Sequence, residues 1–279
     1  MNLPPEEALR DVIARHGLNA RKSLGQHFLL DPNLLERICR AAGSLDGVNV
    51  VEIGSGPGGL TRALLNTRAA SVTAIEIDER AVGIALELQA RHPHRLRVLQ
   101  MDARRANLAE LVEAPRAVVA NLPYNVGTHL LIGWLNQAAS FHSMTLMFQE
   151  EVAARVVASP GSPAYGRLAV LAQLTVRAEI ALRVPASAFT PPPKVASAVL
   201  KLVPLPSQLP PSLLRGVAKV TEAAFGQRRK MLRSALKPLG GEALLRQADI
   251  APERRAETLS AEEFLRIAER LRDREREIT

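Results

Sequence analysis

The stretch that decides the fold is "VVEIGSGPGG", residues 50–59. An apolar run ends at Ile53 and is followed by four glycines, at positions 54, 56, 58 and 59. Residues without a side chain let the backbone pass close to a ligand, and a helix that begins there offers free N–H groups. The spacing fits the G-x-G-x-x-G turn of dinucleotide-binding proteins and also the looser turn of methyltransferases. It predicts a strand, a ligand-binding turn and a helix, but it leaves the ligand open.

Outward from this turn, short apolar runs alternate with segments that are compatible with helices. The predicted strands cover residues 50–53, 72–77, 96–100, 118–121 and 144–148. This alternation is typical of a parallel sheet with helices on both faces. Two later runs, 180–184 and 198–203, are joined closely and predict an antiparallel hairpin at the sheet edge. We therefore predict an α/β domain over residues 1–204, with a helical lead-in at 1–47.

The C-terminal part of the chain has a different character. Four prolines between residues 204 and 211 predict a stiff linker, and the sequence beyond them reads as helix. Ser260 followed by Glu263 fits a capping box at the start of the last helix. We therefore predict a small all-helical domain over residues 205–279.

The charge of the chain restricts its partners. A formal net charge of +8 and a pI of about 10.3 favour a polyanionic partner, such as nucleic acid or an acidic membrane surface. No apolar run approaches the roughly 20 residues of a membrane span and no signal peptide is recognisable, so we expect a cytoplasmic protein without a membrane partner. The single cysteine, Cys39, excludes an internal disulfide, and the six histidines show no metal-binding spacing, so we expect no metal.

Acidic residues end the second and third predicted strands. Glu76 follows the glycine turn by about 20 residues, where a carboxylate can accept both ribose hydroxyls of an adenosine cofactor. Asp102 ends the next strand, where it can accept from the adenine amino group. Both NAD and S-adenosylmethionine contain this nucleoside. The alternative is that each acid only caps the helix that follows it.

The fourth strand ends in "NLPY", residues 121–124. An exocyclic amine on a base is a poor nucleophile because its lone pair is delocalised into the ring. The side-chain oxygen of Asn121 and a backbone carbonyl beside Pro123 can accept both N–H groups and turn the amine toward tetrahedral geometry. Proline holds that carbonyl rigidly, and Tyr124 offers a stacking face worth about 1–3 kcal/mol. The alternative is a proline turn with a core tyrosine.

"NLPY" resembles the [D/N]-P-P-[Y/F] motif of amino-methyltransferases. Over nearly its whole length the chain resembles the ribosomal RNA adenine N6-methyltransferase family, most closely the branch that acts on bacterial 16S RNA. The segments that carry the resemblance are "KSLGQHFLLD" (22–31), "VVEIGSGPGGLT", "ANLPYNV", "QEEVAARVVASPGSPAYGRLAV", "FTPPPKVASAVL" and "FGQRRKMLRSALK" (225–237). The resemblance implies a Rossmann-like class I methyltransferase sheet of seven strands, the last one antiparallel. It also implies that the helical domain binds RNA or the ribosome.

The resemblance further implies which residues act. The implied ligands of S-adenosylmethionine are Gln26, His27, Leu29, Gly54, Gly56, Glu76, Ile77, Asp102, Ala103 and Asn121. The implied catalytic residues are Asn121, Leu122, Pro123, Tyr124 and Phe189, with Phe189 stacking on the target adenine opposite Tyr124. Phe189 as an ordinary hairpin plug is the alternative. Many members of the family carry Asn in place of His27, and an acidic or polar residue in place of Ala196.

The implied reaction is dimethylation of N6 on two adjacent adenines in a 3′-terminal hairpin loop of 16S rRNA. The implied substrate is the immature small ribosomal subunit, and we expect the enzyme to be a monomer. The implied RNA-binding residues are Arg228, Arg229, Lys230, Arg233 and Lys237, with no acid between positions 222 and 242 to balance them. On one helix, Arg229, Arg233 and Lys237 would form a stripe suited to phosphates; a solvated face is the alternative.

Two other functions stay open from the sequence. One is a 23S rRNA adenine N6-methyltransferase of the erythromycin-resistance type. The other is a non-catalytic assembly or transcription factor that keeps the fold to bind RNA. Intact Asn121, Pro123 and Tyr124 argue against the second.

Overall fold

The computed structural model describes residues 7–21 and 24–278. Residues 1–6 and 22–23 of the predicted lead-in, and residue 279, lie outside the described residues. The helices are α1 (Leu9–Arg15), α2 (Pro32–Ala41), α3 (Gly59–Leu65), α4 (Glu79–Arg91), α5 (Leu108–Leu111), α6 (Gly127–Leu135), α7 (Glu150–Val156), α8 (Arg167–Thr175), α9 (Pro211–Gly226), α10 (Leu232–Ala235), α11 (Gly241–Gln247) and α12 (Ala261–Ile278). The strands are β1 (Phe28–Leu29), β2 (Asn49–Ile53), β3 (Ser71–Glu76), β4 (Leu96–Gln100), β5 (Arg116–Asn121), β6 (Ser143–Gln149), β7 (Val176–Val184), β8 (Phe189–Thr190) and β9 (Ser197–Pro204).

Seven strands form one sheet in the order β4-β3-β2-β5-β6-β9-β7. Strands β4, β3, β2, β5 and β6 are parallel to one another, and β9 runs antiparallel to β6. The predicted seven-stranded sheet with an antiparallel last strand is therefore confirmed. The strand order reverses between β2 and β5, and ligands of open α/β sheets bind at the carboxyl ends of the strands beside such a reversal.

The central strands are predictable because they are buried on both faces. Val50 and Val51 on β2, and Val118 and Val119 on β5, are all fully buried. Strands covered by helices on both sides read as continuous apolar runs rather than as an alternating pattern. The glycine turn and the "NLPY" segment thus extend from two buried central strands of the sheet.

A second, two-stranded sheet pairs β1 with β8 in antiparallel register, Phe28 opposite Thr190 and Leu29 opposite Phe189. The sequence did not predict it, because two-residue strands carry no periodicity. The predicted hairpin is consequently interrupted: β7 and β9 are neighbours in the main sheet, but the chain between them leaves it to form β8. This pairing fixes the segment around residues 26–30 beside Phe189.

The described residues form two compact units. Unit 1 comprises the described residues within Met1–Leu131, Ala139–Ala153 and Glu179–Val203; unit 2 comprises those within Ile132–Ala138, Ala154–Ala178 and Pro204–Thr279. Unit 1 has a core between the sheet and its helices, and unit 2 has its own core around Tyr165, Leu236 and Phe264. The division into domains 1–204 and 205–279 stays a prediction, since compactness does not by itself establish independent folding.

Helix α12 begins with the predicted capping box. The Glu263 N–H donates to Ser260 Oγ over 3.2 Å, and the Ser260 N–H donates to Glu263 Oε2 over 2.8 Å. These bonds satisfy two of the N–H groups that a helix start leaves without intrahelical partners. Within the described residues, no helix is long and apolar enough to cross a lipid bilayer.

The expectation of one helix through residues 228–237 is wrong. Residues 227–229 form a turn, α10 has a single turn, and a 3₁₀ helix follows at Lys237–Leu239. The N–H groups of Leu232 and Arg233 donate to the carbonyls of Arg254 and Pro252 instead of to the preceding turn. Proline at 238 then disfavours helical geometry in the residue before it. Arg229, Arg233 and Lys237 therefore do not form one helical stripe.

Candidate active site

A cavity of about 270 Å³ lies in unit 1 at the carboxyl ends of β2, β3, β4 and β5. All ten predicted cofactor ligands line it, and so do Leu122, Pro123 and Tyr124. Phe189 does not line the cavity and is 3% exposed. The structure thus brings together residues that are up to 98 positions apart in the chain, from Gln26 to Tyr124.

The glycine turn forms the floor of the cavity. Gly56 has φ +50°, in the left-handed region where side chains cause strain, and a Cβ there would lie 3.4 Å from the Phe28 ring. A Cβ at Gly59 would lie 2.9 Å from Leu9 Cδ1 and 3.0 Å from Leu35 Cδ1. Backbone conformation favours glycine at position 56, whereas at position 59 a side chain would require the neighbouring leucine side chains to shift.

Glu76 is bound to the backbone around the cavity. Its Oε1 accepts from the N–H groups of Ile77 (2.8 Å) and Asp78 (2.9 Å), and its Oε2 accepts from the Gly56 N–H (3.0 Å). A carboxylate has about four acceptor positions, so one position on Oε2 remains. Glu76 can therefore accept one ribose hydroxyl without losing any of these bonds. Accepting both hydroxyls would require the hydrogen bond from the Gly56 N–H to break.

Asp102 is paired with Arg104, which also lines the cavity. Arg104 Nε donates to both carboxylate oxygens over 3.0 Å, and its terminal nitrogen donates to Oδ2 over 2.6 Å. The Arg104 N–H adds a capping bond to Oδ1, so Asp102 does cap the turn that follows it. The hydrogen-bonded guanidinium lowers the pKa of Asp102 to about 2. An adenine amino group reaches this carboxylate only by displacing Arg104.

Glu52 is a buried carboxyl group on the cavity wall that the sequence reasoning did not single out. It is 1% exposed, and its Oε2 accepts from the Thr61 hydroxyl over 2.5 Å. No described residue donates to Oε1, nor bonds to the neighbouring hydroxyl of Ser55. Burial raises the pKa of Glu52 to about 8. Two orphaned polar atoms on one cavity wall are acceptors available to a ligand.

Asn121 ends β5 with its amide oriented by a hydrogen bond. Its Nδ2 donates to the His27 carbonyl over 3.2 Å, and no described residue donates to its Oδ1. The Pro123 carbonyl already accepts from the N–H groups of Val126 and Gly127. Two backbone carbonyls lie beside Pro123: its own and that of Leu122. Because the Pro123 carbonyl is already bonded, the Leu122 carbonyl is the one left for a ligand. The pair of acceptors predicted at this strand end is Asn121 Oδ1 and Leu122 O.

Tyr124 is anchored by a residue that the sequence reasoning missed. Its hydroxyl lies 2.7 Å from Oγ of Ser197, which is fully buried at the start of β9. Burial raises the pKa of Tyr124 above the usual value of a phenol, so the hydroxyl stays neutral. Ser197 lies within the segment "FTPPPKVASAVL". Only its hydrogen bond to Tyr124, which is 73 residues away in the sequence, distinguishes it from the other small residues there.

The segment at residues 24–29 lies over the cavity and against the "NLPY" turn. Gln26 Nε2 donates to Asp78 Oδ2 over 2.9 Å, and a Cβ at Gly25 would lie 3.3 Å from Asn125 Oδ1. His27 Nδ1 lies 2.8 Å from the Pro191 carbonyl. The predicted position of this segment over the cofactor pocket matches these contacts, although its ligand contacts remain a prediction.

The basic residues at 228–237 belong to unit 2 and differ from one another. Arg229, Lys230, Arg233 and Lys237 are exposed. Arg228 is half-buried and donates to Glu257 over 2.9 Å, and Arg233 lies 3.9 Å from a second acid, Glu253. The absence of acids nearby in the sequence therefore does not mean the absence of acidic partners. Within the described residues, no group of three His, Cys, Asp or Glu side chains is arranged to hold a metal ion.

These features define a class of protein: an α/β fold with a cavity at the carboxyl ends of its parallel strands, and with an amide and a backbone carbonyl at the tip of β5 as an amino-methyltransferase would need. The chain belongs to the ribosomal RNA adenine dimethylase family, whose pattern matches residues 17–273. It is therefore a methyltransferase of the class that modifies adenines in ribosomal RNA.

Individual relatives agree with this assignment. The chain is 58% identical over 262 residues to "Ribosomal RNA small subunit methyltransferase A" of Gluconobacter oxydans, covering 94% of this chain and 86% of the relative. Among solved structures it is similar to a dimethyladenosine transferase from Plasmodium falciparum, with TM-score 0.74, 26% identity, and coverage of 86% and 96% of the two chains. It is also similar to the 23S rRNA methyltransferase ErmE, with TM-score 0.67, 28% identity, and coverage of 88% and 99%.

Proposed function

We propose that this chain uses S-adenosylmethionine to dimethylate N6 of two adjacent adenines in a 3′-terminal hairpin loop of 16S rRNA. We further propose that it acts as a monomer, without a metal, on the immature small subunit in the cytoplasm. The observation that carries the proposal is the pair of acceptors, Asn121 Oδ1 and Leu122 O, at the tip of β5 beside the cavity at the carboxyl ends of the strands. Relatives that share 53–58% identity bear small-subunit methyltransferase names, which supports the choice of substrate.

The cavity residues fit S-adenosylmethionine. Glu76 has one acceptor position for a ribose hydroxyl, and Asp102 can accept from the adenine amino group once Arg104 is displaced. The Ile77 side chain, 53% exposed, supplies an apolar surface for the purine. The orphaned Oε1 of Glu52 is an acceptor for a cationic amino group. When bound, S-adenosylmethionine supplies a methyl group on a positively charged sulfur. Gly54 and Gly56 let the backbone approach it closely.

The chemical step requires positioning rather than a strong base. Asn121 Oδ1 and the Leu122 carbonyl accept the two N6–H groups of the target adenine and turn the N6 lone pair out of conjugation. S-adenosylmethionine held in the cavity would supply the methyl group to N6 and leave as the neutral thioether, and the cationic amine would release its proton to water. Preorganised acceptors of this kind contribute through orientation and electrostatics. Pro123 keeps the Leu122 carbonyl fixed in this role.

The target base is proposed to stack on Tyr124, with Phe189 opposite. Loop adenines are readily unstacked, so their extrusion into an enzyme pocket costs only a few kcal/mol. Ser197 fixes the phenol through a 2.7 Å hydrogen bond, which holds the stacking face in place.

The exposed cations Arg229, Lys230, Arg233 and Lys237 are proposed to contact rRNA phosphates, with Arg228 shaping the turn through Glu257. Replacing Arg229 and Lys230 with Ala should reduce the dependence of log K on log salt by about 0.9 per lost phosphate contact on duplex RNA. Arg246→Ala, which removes an exposed arginine paired with Glu242, is the matched control. An unchanged slope in the double variant would assign these cations to solvent.

The proposed substrate is tested by methyl transfer from tritium-labelled S-adenosylmethionine. Purified immature small subunits, mature small subunits and large-subunit RNA are compared, with Asn121→Ala as the control for contaminating activity. We expect label in immature small-subunit RNA, recovered as N6,N6-dimethyladenosine after digestion. Label only in large-subunit RNA would establish the 23S alternative, and no label in any RNA would establish a non-catalytic RNA-binding protein.

A further inference from the structure

Among the described residues, His27 contacts both of the rings that are proposed to receive the target adenine. Its imidazole centroid lies 5.5 Å from that of Tyr124, with 30° between the ring planes. It lies 6.5 Å from the Phe189 ring at 82°. Aromatic rings that interact have centroids about 4.5–7 Å apart. The imidazole therefore lies in aromatic contact with the ring on which the base is proposed to stack.

The imidazole is held in that position by polar contacts on both sides of the residue. Its Nδ1 lies 2.8 Å from the Pro191 carbonyl, and since a carbonyl only accepts, Nδ1 carries the hydrogen. The His27 main-chain carbonyl accepts from Asn121 Nδ2 over 3.2 Å. The next two residues, Phe28 and Leu29, are paired with Thr190 and Phe189 in the small sheet. One residue thus contacts the stacking ring, the opposite ring and the amide.

The backbone next to His27 packs on the "NLPY" turn, on which the base site is proposed. Gly25 has φ +63°, and a Cβ there would lie 3.5 Å from the Tyr124 N–H nitrogen, so the segment rests directly on the "NLPY" turn. Phe189 is 3% exposed in this arrangement, although the proposed stack requires one of its faces to be open. Because the imidazole is in aromatic contact with both rings, a base that stacks on Tyr124 and Phe189 would compete with it for this space.

We propose that the His27 imidazole is a placeholder for the target adenine: it fills the base site in the absence of RNA and rotates out when the base enters. The inference rests on the proposed function, because it assumes that Tyr124 and Phe189 receive the base. The placeholder keeps the aromatic faces covered and Asn121 oriented before the substrate arrives. The placeholder also contributes to specificity. Displacing the ring costs free energy, so a base enters only when other contacts hold the RNA in place.

The test measures base stacking separately from methylation. The probe is a single-stranded RNA oligonucleotide that carries 2-aminopurine, whose fluorescence is quenched when it stacks on an aromatic ring. The full-length protein is saturated with S-adenosylhomocysteine so that the probe cannot enter the cofactor site. Wild type is compared with His27→Ala, which removes the ring, and with His27→Phe, which keeps a ring but loses the bond to the Pro191 carbonyl. Tyr124→Ala reports whether quenching comes from the proposed base site.

We expect His27→Ala to bind the probe about two- to tenfold more tightly than wild type, the factor that corresponds to one aromatic pair. His27→Phe should bind no more tightly than wild type. Equal or weaker binding by His27→Ala would overturn the placeholder, as would equally tight binding by the Ala and Phe variants. Far-UV circular dichroism confirms folding, and if the Ala variant fails that check, His27→Asn takes its place with the same expectation.

The outcome with Tyr124→Ala separates the inference from the proposed function. Quenching that is lost in Tyr124→Ala but unchanged in His27→Ala rejects only the placeholder and leaves the base site in place. Quenching that persists in Tyr124→Ala rejects the base site itself and the placeholder with it. The identity of the methylated nucleoside in rRNA is a further readout that depends on neither result.

Discussion

Replacing Glu52 with Gln should change how the stability of the protein depends on pH. Glu52 is 1% exposed, and burial is the largest cause that raises its pKa from 4.5 to about 8. A carboxyl group whose pKa is raised by folding favours the folded state fully below pH 4.5, and this contribution is lost as the pH rises through about 8. Above pH 8 the wild type carries a buried carboxylate, whereas the glutamine variant remains neutral.

The size of the effect follows from the shift. Each pKa unit corresponds to about 1.4 kcal/mol, so the full shift sets an upper bound of about 5 kcal/mol between pH 4 and pH 9. The Thr61 hydroxyl donates to Glu52 over 2.5 Å, and this hydrogen bond lowers the pKa of Glu52. It therefore offsets part of the increase that burial causes. The gain of the glutamine variant over the wild type should therefore be a few kcal/mol at pH 9 and close to zero at pH 5.

The assay is urea unfolding of the cofactor-free protein at pH 5, 7 and 9, followed by the fluorescence of the single tryptophan, Trp134. Glu36→Gln, which changes an exposed glutamate on α2, is the matched control and should show no such trend. The quantity compared is the difference in unfolding free energy between variant and wild type, which cancels the titration of other groups. If the difference in unfolding free energy does not grow with pH, the pKa of Glu52 is not raised in the folded protein. That result would contradict a Glu52 carboxyl that is buried without a charged partner.

Three further predictions concern the proposed mechanism. Asn121→Ala should lower kcat about 10²- to 10³-fold, the range for one oriented hydrogen-bonding group. The affinity for S-adenosylhomocysteine, measured by calorimetry, should fall much less. Equal losses in kcat and affinity would contradict the role of the amide oxygen. Ser197→Ala frees the Tyr124 hydroxyl and should raise KM for immature subunits about two- to tenfold, the effect of one hydrogen bond, with cofactor affinity unchanged; an unchanged KM would show that the ring needs no anchor. Arg104→Ala frees Asp102 and should tighten S-adenosylmethionine binding by up to about fivefold, since exposed ion pairs contribute at most about 1 kcal/mol; weaker binding would make Arg104 a cofactor contact instead of a competitor.

The sheet and the cavity were predictable because their signals are local. Buried parallel strands read as apolar runs, and the residues at their carboxyl ends meet at one edge of the sheet whatever the details of packing. The positions of Glu76, Asp102 and Asn121 around one cavity follow from that rule alone. The capping box at Ser260 and Glu263 is equally local, and it was also confirmed.

The features that the sequence missed depend on contacts between distant parts of the chain. Ser197 acquires its role only through a bond to Tyr124, 73 residues away. The break before α10 arises because Leu232 donates to the Arg254 carbonyl, and Arg228 finds its acidic partner 29 residues further on. Neither a helical period nor a count of nearby acids contains this information. The pairing of Asp102 with Arg104 is close in sequence, but only the geometry shows that it saturates the carboxylate.

The measurement that tests the central claim most directly is the structure of this protein with S-adenosylhomocysteine and an RNA fragment that contains the target adenines. The account predicts the N6 atom of one adenine at about 3 Å from both Asn121 Oδ1 and the Leu122 carbonyl oxygen, with its ring stacked on Tyr124. An adenine bound with N6 directed away from these two acceptors would contradict the account.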